Sequence, residues 1–139
     1  MTMGACSHSK GARVWRNTLM NQSPGLIPQR AAIVQGRFQD SLPGVLDRMG
    51  QVDFAFIDGH HDEQATIDYW QQIRDRLTGR SIVVFDDCNW SEGMQRAWKH
   101  IISESSVSCS IDLGKFGLCL CNDQQFDCST HLRLPYPTV

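Results

Sequence analysis

Apolar residues in this chain gather into short runs that stop at polar residues. Three such runs, at residues 31–34, 52–57 and 82–85, have the length and composition of β-strands. The third is β-branched and aromatic with no polar alternation, which predicts a strand buried on both faces of a parallel sheet. Asp58 follows the second run, and Asp86 and Asp87 follow the third. Ligands of open α/β sheets bind at the carboxyl ends of the strands, so these acids are the first candidates for a site.

Segments with helical spacing alternate with these runs. The predicted helices extend from Ser41 through Met49, from Asp62 to about Leu77, and from Asn89 or Ser91 to Ile102. Each opens on a residue that caps helix N-termini well, and Gly50 and Gly79 are expected to end the first two. Strands that alternate with helices predict a doubly wound α/β fold with a mostly parallel sheet.

The two ends of the chain carry weaker patterns. Residues 107–113 and 117–121 read as two strands with a tight connection, which predicts an antiparallel pair closing the edge of the sheet. The first 30 residues show little periodicity, with a hint of a strand at 12–15. The predicted organisation is an irregular segment at 1–30, an α/β domain at 31–122 and an irregular tail at 123–139.

Composition narrows the classes of protein that fit. The chain has 139 residues, 41% of them apolar, and a net charge of -2, which argues against nucleic acid as a partner. It contains no run long enough to span a membrane and no signal-like apolar segment, so a cytoplasmic location is expected. The six cysteines form no CxxC pair, and we expect them to be small buried residues in a reducing compartment.

The acids that follow the two strands indicate a common pocket. If the strands are neighbours, about 4.8 Å apart, Asp58, Asp86 and Asp87 converge at one edge of the sheet. Three carboxylates suit Mg²⁺ or Ca²⁺, and either His60 or His61 could take a proton from a substrate hydroxyl. The alternative is that the aspartates only cap the following helices and keep the rim solvated.

Four stretches carry a resemblance to a known family. They are IVQGRFQDSLP (33–43), VDFAFIDGHHDEQATIDYW (52–70), IVVFDDCNWSEGMQRAWKHI (82–101) and VSCSIDLGKFGLCLC (107–121). Together they resemble class I S-adenosylmethionine-dependent methyltransferases, in particular the small-molecule O-methyltransferase-like group. They are similar to that family's third strand and its loop, its fourth strand with an IDG.H ending, its fifth strand with a DD..W ending, and its terminal strand pair. The resemblance implies a Rossmann-like methyltransferase fold.

The resemblance also implies roles for the acidic residues and for one histidine. Asp58 matches an acid that lies close to the methyl donor and, in metal-dependent members, is a metal ligand. Asp86 and Asp87 match the pair that completes this metal site, so Mg²⁺ is implied together with S-adenosylmethionine. His61 matches a histidine proposed as the general base in sugar O-methylating relatives.

Two further residues fall in the stretch that lines the adenine in the family. By this resemblance, Phe38 could stack on the adenine ring, and Asp40 could accept a hydrogen bond from its amino group. The implied cofactor-binding residues are therefore Phe38, Asp40 and Asp58, and the implied acceptor is a small molecule.

The chain departs from the family pattern in its N-terminal part. Residues 1–30 contain no glycine-rich loop of the E/D-x-G-x-G type, and no acid precedes Asp40, although the family holds the cofactor ribose with one. Asp87 replaces an asparagine found in many metal-dependent members. The chain thus resembles the C-terminal two-thirds of the domain. Because the first strand is missing, the strand at 52–57 is expected to lie at an exposed edge of the sheet. Residues 12–15, a second copy of the chain or another chain could pair with this edge.

Three functions follow from these observations. The first is transfer of a methyl group from S-adenosylmethionine to a hydroxyl of a small molecule or sugar, with weak or absent cofactor binding expected of this chain. The second is a non-catalytic fragment or interaction module derived from a methyltransferase. A receiver-like signalling domain ranks last, because its acidic pair precedes its phospho-accepting aspartate, the reverse of the order here.

Overall fold

The computed structural model describes residues 2–6, 34–121 and 130–134, the first of these as backbone only. Six strands in these ranges form one sheet in the order β1-β2-β3-β5-β4-β6. The elements are β1 (Thr2–Cys6), α1 (Phe38–Met49), β2 (Val52–Asp58), α2 (Glu63–Arg74), β3 (Leu77–Phe85), α3 (Glu92–Ile102), β4 (Val107–Asp112), β5 (Gly117–Cys121) and β6 (Thr130–Arg133). Among them β5 alone runs against its neighbours, so the predicted mostly parallel α/β sheet is confirmed.

β2 and β3 are inner strands of the sheet, and they are parallel neighbours joined through α2. Asp62 caps α2 and accepts a hydrogen bond from the Ala65 amide at 3.0 Å, and Ser91 caps α3 and accepts from the Met94 amide at 3.2 Å. Both caps follow directly on the loops that leave β2 and β3. The two strands therefore end at the same edge of the sheet, each followed within a few residues by a capped helix.

The hydrophobic core lies between the sheet and the three helices. Its largest buried members are Trp70, Tyr69, Phe85, Leu42, Ile73, Ile101, Val52 and Val83. Along β3, Ser81, Val83 and Phe85 are buried, whereas Ile82 between them is 37% exposed. The prediction that residues 82–85 are buried on both faces is therefore wrong, because the face of β3 that carries Ile82 and Val84 is not fully covered.

The predicted end of the second helix is also wrong. The helix stops at Arg74, and Leu77 belongs to β3, where it pairs with Val52. The Val52 amide donates to the Arg76 carbonyl at 2.8 Å, which ties this connection to β2. Leu77 has helical spacing from Ile73, but pairing with β2 outweighs that local pattern. Gly79 therefore lies inside a strand rather than at a helix end.

The first helix begins earlier than predicted. It starts at Phe38 with Arg37 as N-cap, while Ser41 lies inside the helix and donates its hydroxyl to the Arg37 carbonyl at 2.9 Å. Phe38 packs edge-on against Tyr69 of α2, with ring centroids 4.4 Å apart. This contact accounts for the additional helical residues. The predicted end at Gly50, with a left-handed φ of 74°, is confirmed.

Both ends of the chain supply a strand that sequence patterns did not predict. β1 pairs in parallel with β2, so Thr2–Cys6 fills the edge that was expected to be exposed. β6 pairs in parallel with β4, so the supposed irregular tail contains an edge strand, and the β4–β5 pair lies inside the sheet rather than closing it. The predicted strand at 12–15 lies outside the described residues, as does most of the one at 31–34; Val34 is not in a strand.

The cysteines of the described region are free and mostly buried. Burial raises the pKa of Cys88 and of Cys121 to about 12 and that of Cys119 further still. Cys109 is half-buried. The expectation that the cysteines are small buried residues is confirmed for Cys88, Cys119 and Cys121. The side chains of Cys6 and Cys128 lie outside the described residues. No helix in the described ranges is long and apolar enough to cross a membrane.

Candidate active site at the carboxyl edge of the sheet

Three carboxylates meet where β2 and β3 end. Asp58 is the last residue of β2, and Asp86 and Asp87 follow Phe85, which is paired with Ile57. The Asp86 amide donates to the Ile57 carbonyl at 2.9 Å, so the end of β3 remains bound to β2 beyond the strand. We call Asp58, Asp86 and Asp87 the acidic cluster. Its predicted convergence is confirmed by the contacts that follow.

His61 lies between two members of the acidic cluster. Its Nε2 is 3.7 Å from Asp58 Oδ1 and 3.6 Å from Asp87 Oδ2. The imidazole is 19% exposed, and the two carboxylates are each 24% exposed, so the group lies at the rim rather than in the core. His61 adopts a left-handed φ of 48°, a conformation that costs energy in a residue other than glycine. The backbone of His61 thus adopts an unfavourable conformation, and in this conformation its ring lies near both carboxylates.

His60 is directed away from the acidic cluster. Its Nδ1 is 3.1 Å from the hydroxyl of Tyr69, which is almost completely buried. A methyl group added at Gly59 would lie 3.2 Å from Cε2 of Tyr69, so the tyrosine ring packs against this glycine. The pKa of Tyr69 is raised, first by burial and then by the charges of nearby aspartates, so its hydroxyl stays protonated near neutral pH. As predicted, only one of the two histidines meets the carboxylates.

A lysine lies beside the other end of the acidic cluster. Lys115 Nζ is 3.6 Å from Asp86 Oδ1 and 4.0 Å from Asp87 Oδ1. Asp86 is the least exposed member of the cluster, at 12%, and its Oδ1 also accepts from the Asp87 amide at 3.0 Å. Asp87 itself has a left-handed φ of 52°. The acidic cluster therefore has basic groups on two sides, His61 and Lys115.

Asn89 ties the loop after β3 to the turn that carries Lys115. Its Nδ2 donates to Asp112 Oδ1 at 2.9 Å and to the Gly114 carbonyl at 2.8 Å. The Cys88 amide donates to the Lys115 carbonyl at 3.2 Å. We refer to these three bonds as the Asn89 clamp. Sequence patterns missed both Asn89, considered only as a helix cap, and Lys115, because their partners are more than 20 residues away.

The expected metal site is not supported by this geometry. Among the described residues, no group of three or more histidine, cysteine, aspartate or glutamate side chains is arranged to hold a metal ion. Magnesium requires oxygen ligands at about 2.0–2.1 Å in an octahedron. In this structure His61 and Lys115 contact the acidic cluster instead. We therefore derive no chemical step through a metal.

The two residues expected to line the adenine lie at the start of α1. Phe38 is half-buried against Tyr69, and Asp40 is exposed two residues further into the same turn. Tyr69 contacts both Phe38 and His60, so the start of α1 and the loop after β2 meet at the same residue of α2. The half-buried ring of Phe38 is able to stack on an adenine ring, and the exposed carboxylate of Asp40 is able to accept a hydrogen bond from its amino group. The cofactor contacts themselves stay a prediction.

The fold and this edge define a class of protein. A mostly parallel sheet with one antiparallel strand near its end and acids at the carboxyl ends of its middle strands is the architecture of Rossmann-like methyltransferases. The sequence model of a family described as "Methyltransferase domain" matches residues 4–88, which include the end of β1, the acidic cluster and His61. The chain therefore belongs to the methyltransferase-domain family.

A solved structure supports the same fold. The apo structure of CalS11, described as a TDP-rhamnose 3′-O-methyltransferase of calicheamicin biosynthesis, superposes with a TM-score of 0.54 at 21% sequence identity. The match covers 68% of this chain and 42% of the CalS11 chain. No curated protein sequence matches the chain significantly. The chain thus shares the fold of that enzyme and spans less than half of its length.

Proposed function

We propose that this chain is the C-terminal part of an S-adenosylmethionine-dependent O-methyltransferase domain that acts on a hydroxyl of a small molecule or sugar. The observation that carries the proposal is the position of His61 Nε2, within 3.7 Å of carboxylates from two neighbouring strand ends. Nε2 lies at the rim beside two carboxylates that stabilise its protonated form, and these are features of a general base that acts at this nitrogen. Membership of the methyltransferase family supplies the reaction type, and the activity named for CalS11 supports a sugar hydroxyl.

In the proposed mechanism, His61 removes the proton of the acceptor hydroxyl. Asp58 and Asp87 stabilise the imidazolium that results, because each has an oxygen within 3.7 Å of Nε2. When bound, S-adenosylmethionine would supply an electrophilic methyl group for the acceptor oxygen. Most of the rate enhancement is then expected from positioning the two reactants.

The residues proposed to hold the cofactor are Phe38, Asp40 and Asp58. Asp58 lies where β1 and β2 end together, since it is paired with Cys6. The half-buried ring of Phe38 offers a stacking surface, and the exposed carboxylate of Asp40 is a hydrogen-bond acceptor. The side chains of these residues therefore have the chemical groups needed to bind the cofactor.

Calorimetric titration of the purified chain with S-adenosylmethionine is the first test. Binding tighter than ~100 μM, which corresponds to about -5.5 kcal/mol, would support the catalytic proposal. Methyl transfer is then measured with labelled cofactor and a panel of nucleotide sugars and small phenols. A folded chain that gives no heat at millimolar cofactor would contradict the catalytic proposal.

The role of His61 has a matched control in its neighbour. His61→Ala is expected to lower the rate of transfer by about 10²–10⁴-fold, the usual contribution of a general base, without changing cofactor affinity. His60→Ala removes a histidine that contacts Tyr69 instead, and should leave the rate within a few-fold. Equal losses in the two variants would indicate a structural effect and contradict the assignment of His61.

A non-catalytic module derived from a methyltransferase is the second candidate. It is favoured by the sequence of residues 1–30, which contains no glycine-rich loop of the family type. In that case the folded chain binds no S-adenosylmethionine, and His61→Ala has no measurable consequence beyond stability. The calorimetric titration therefore separates the two candidates before any acceptor is known.

A further inference from the structure

The acidic cluster requires positive charge near it. Two of its carboxylates, Asp58 and Asp87, lie within 3.7 Å of the same His61 nitrogen, and Asp86 and Asp87 are adjacent in the chain. Like charges this close repel one another unless a proton, a metal ion or a basic side chain compensates them. Lys115 is the side chain that meets this requirement for Asp86 and Asp87.

Lys115 is positioned by its backbone, and its half-exposed side chain reaches the carboxylates from there. Its carbonyl accepts from the Cys88 amide at 3.2 Å, and the preceding Gly114 carbonyl accepts from Asn89 at 2.8 Å. The turn is closed by the Leu113 amide, which donates to the Phe116 carbonyl at 2.8 Å, and Lys115 Nζ lies 5.4 Å from the centre of the Phe116 ring. Because the turn is bonded to the loop that carries Asp86 and Asp87, the ammonium group is tethered to the carboxylates.

We propose that Lys115 is a built-in counter-ion that takes the place of a divalent cation at the acidic cluster. The inference rests on the proposed function for its role in catalysis. It states that the site works without a metal ion. A cation bound to Asp86 would face the ammonium charge within about 4 Å, where repulsion in a partly buried setting is strong. A magnesium ion bound to Asp86 Oδ1 at about 2.0–2.1 Å would therefore have to displace the ammonium group or lie beside it.

The test is metal binding to the folded chain, without cofactor or acceptor. Titrations with Mg²⁺ and, as a more sensitive probe, with Mn²⁺ followed by electron paramagnetic resonance compare the natural chain with Lys115→Met. The natural chain is expected to show no saturable site below ~1 mM, and Lys115→Met to bind Mn²⁺ at least about tenfold more tightly. Lys115→Arg keeps the charge and should behave like the natural chain.

Two controls keep the result interpretable. Lys99→Met removes an exposed lysine from the last turn of α3 and should gain no metal affinity. Circular dichroism confirms that each variant is folded, and added Mg²⁺ should raise the melting temperature of Lys115→Met alone. Binding of Mn²⁺ by the natural chain below ~1 mM that is lost in Asp86→Asn, or a folded Lys115→Met that gains no affinity, would overturn the proposal. Neither result depends on methyl transfer, so a failure here is distinct from a failure of the proposed function.

Discussion

The loops that follow β2 and β3 share one plan. We call residues 59–62 the β2 loop and residues 86–91 the β3 loop. Each follows a buried strand, contains one non-glycine residue with left-handed φ and ends on the residue that caps the next helix. His61 is the left-handed residue of the first loop and Asp87 that of the second. Both strained positions coincide with side chains of the candidate site, as is common where function requires an unusual geometry.

The loops differ in what holds them. The β2 loop is supported by Tyr69 of the helix that follows it, through a contact of its hydroxyl with His60, nine residues away in sequence. The β3 loop is held by the Asn89 clamp, whose partners Asp112 and Gly114 are 23 and 25 residues away. The histidine is thus positioned by local structure and the acidic pair by a distant turn. Changes in the distant turn should therefore act on Asp86 and Asp87 while leaving His61 in place.

Cys88 reports on the closure of the β3 loop and gives the largest expected effect. Burial, with a contribution from Asp112, raises the pKa of its thiol from 9.0 to about 12, so its thiolate near pH 8 is about 10³-fold less populated than that of an ordinary cysteine. Alkylation of the native protein should be slower by a similar factor and should accelerate about tenfold per pH unit up to about pH 10. Mass spectrometry of the tryptic peptide 81–96, which contains this cysteine alone, measures the rate.

The unfolded chain is the control for this measurement. In denaturant the same cysteine should react quickly, and its rate should level off above its ordinary pKa. A native rate that also levels off near pH 9 would mean that the β3 loop opens freely. The proposed contrast between a clamped and a locally supported loop would then be wrong.

Packing at Gly117 secures the turn that the clamp requires. A methyl group added here would lie 2.7 Å from Cζ3 and 2.8 Å from Cη2 of Trp98, closer than carbon atoms can pack. Gly117→Ala is expected to lower the free energy of unfolding by about 1–3 kcal/mol in urea denaturation. Gly44→Ala, inside α1 with no atom within 4 Å of the added methyl, should instead stabilise by about 0.5–1 kcal/mol. If both variants stabilise, α3 is free to move away from β5.

Local sequence signals predicted the parts of this fold that depend on neighbouring residues. The cap at Asp62, Ser91 as one of two possible caps of the third helix, and the strand at 52–57 were predicted from short patterns. Each rests on a physical cause that acts within a few residues, such as a side chain that satisfies a free amide or an apolar run that needs burial.

Features that depend on distant partners were not predicted. Thr2–Cys6 and Thr130–Arg133 form edge strands only because β2 and β4 offer free backbone groups, and Leu77 joins β3 against its own helical spacing. No nearby residue in the sequence indicates the role of Lys115, since its ammonium group meets Asp86 only when the turn packs against the β3 loop. Pairing across the sheet is decided by the whole fold, which short windows of sequence do not contain.

The contrast between the loops is sharpened by removing one support from each. Asn89→Ala removes one hydrogen-bond donor from the Gly114 carbonyl and one from Asp112, and should cost about 1–2 kcal/mol of unfolding free energy. His60→Ala removes one contact to Tyr69 and should cost less than about 1 kcal/mol. Asn89→Ala should also accelerate alkylation of Cys88, whereas His60→Ala should not. Acceleration by both variants would show that the two loops open together.

The smallest effect tests what the loops share. A left-handed residue other than glycine costs about 1 kcal/mol or more, so glycine at position 61 or 87 should relieve this strain. Comparing His61→Gly with His61→Ala, and Asp87→Gly with Asp87→Ala, cancels the lost side chain, and each glycine variant should be the more stable by about 1 kcal/mol. Gln95, inside α3, is the control, because there alanine should be more stable than glycine by about 1 kcal/mol. An alanine variant as stable as its glycine counterpart at 61 but not at 87 would show that the β2 loop relaxes out of the strained conformation, and that only the clamped β3 loop retains it.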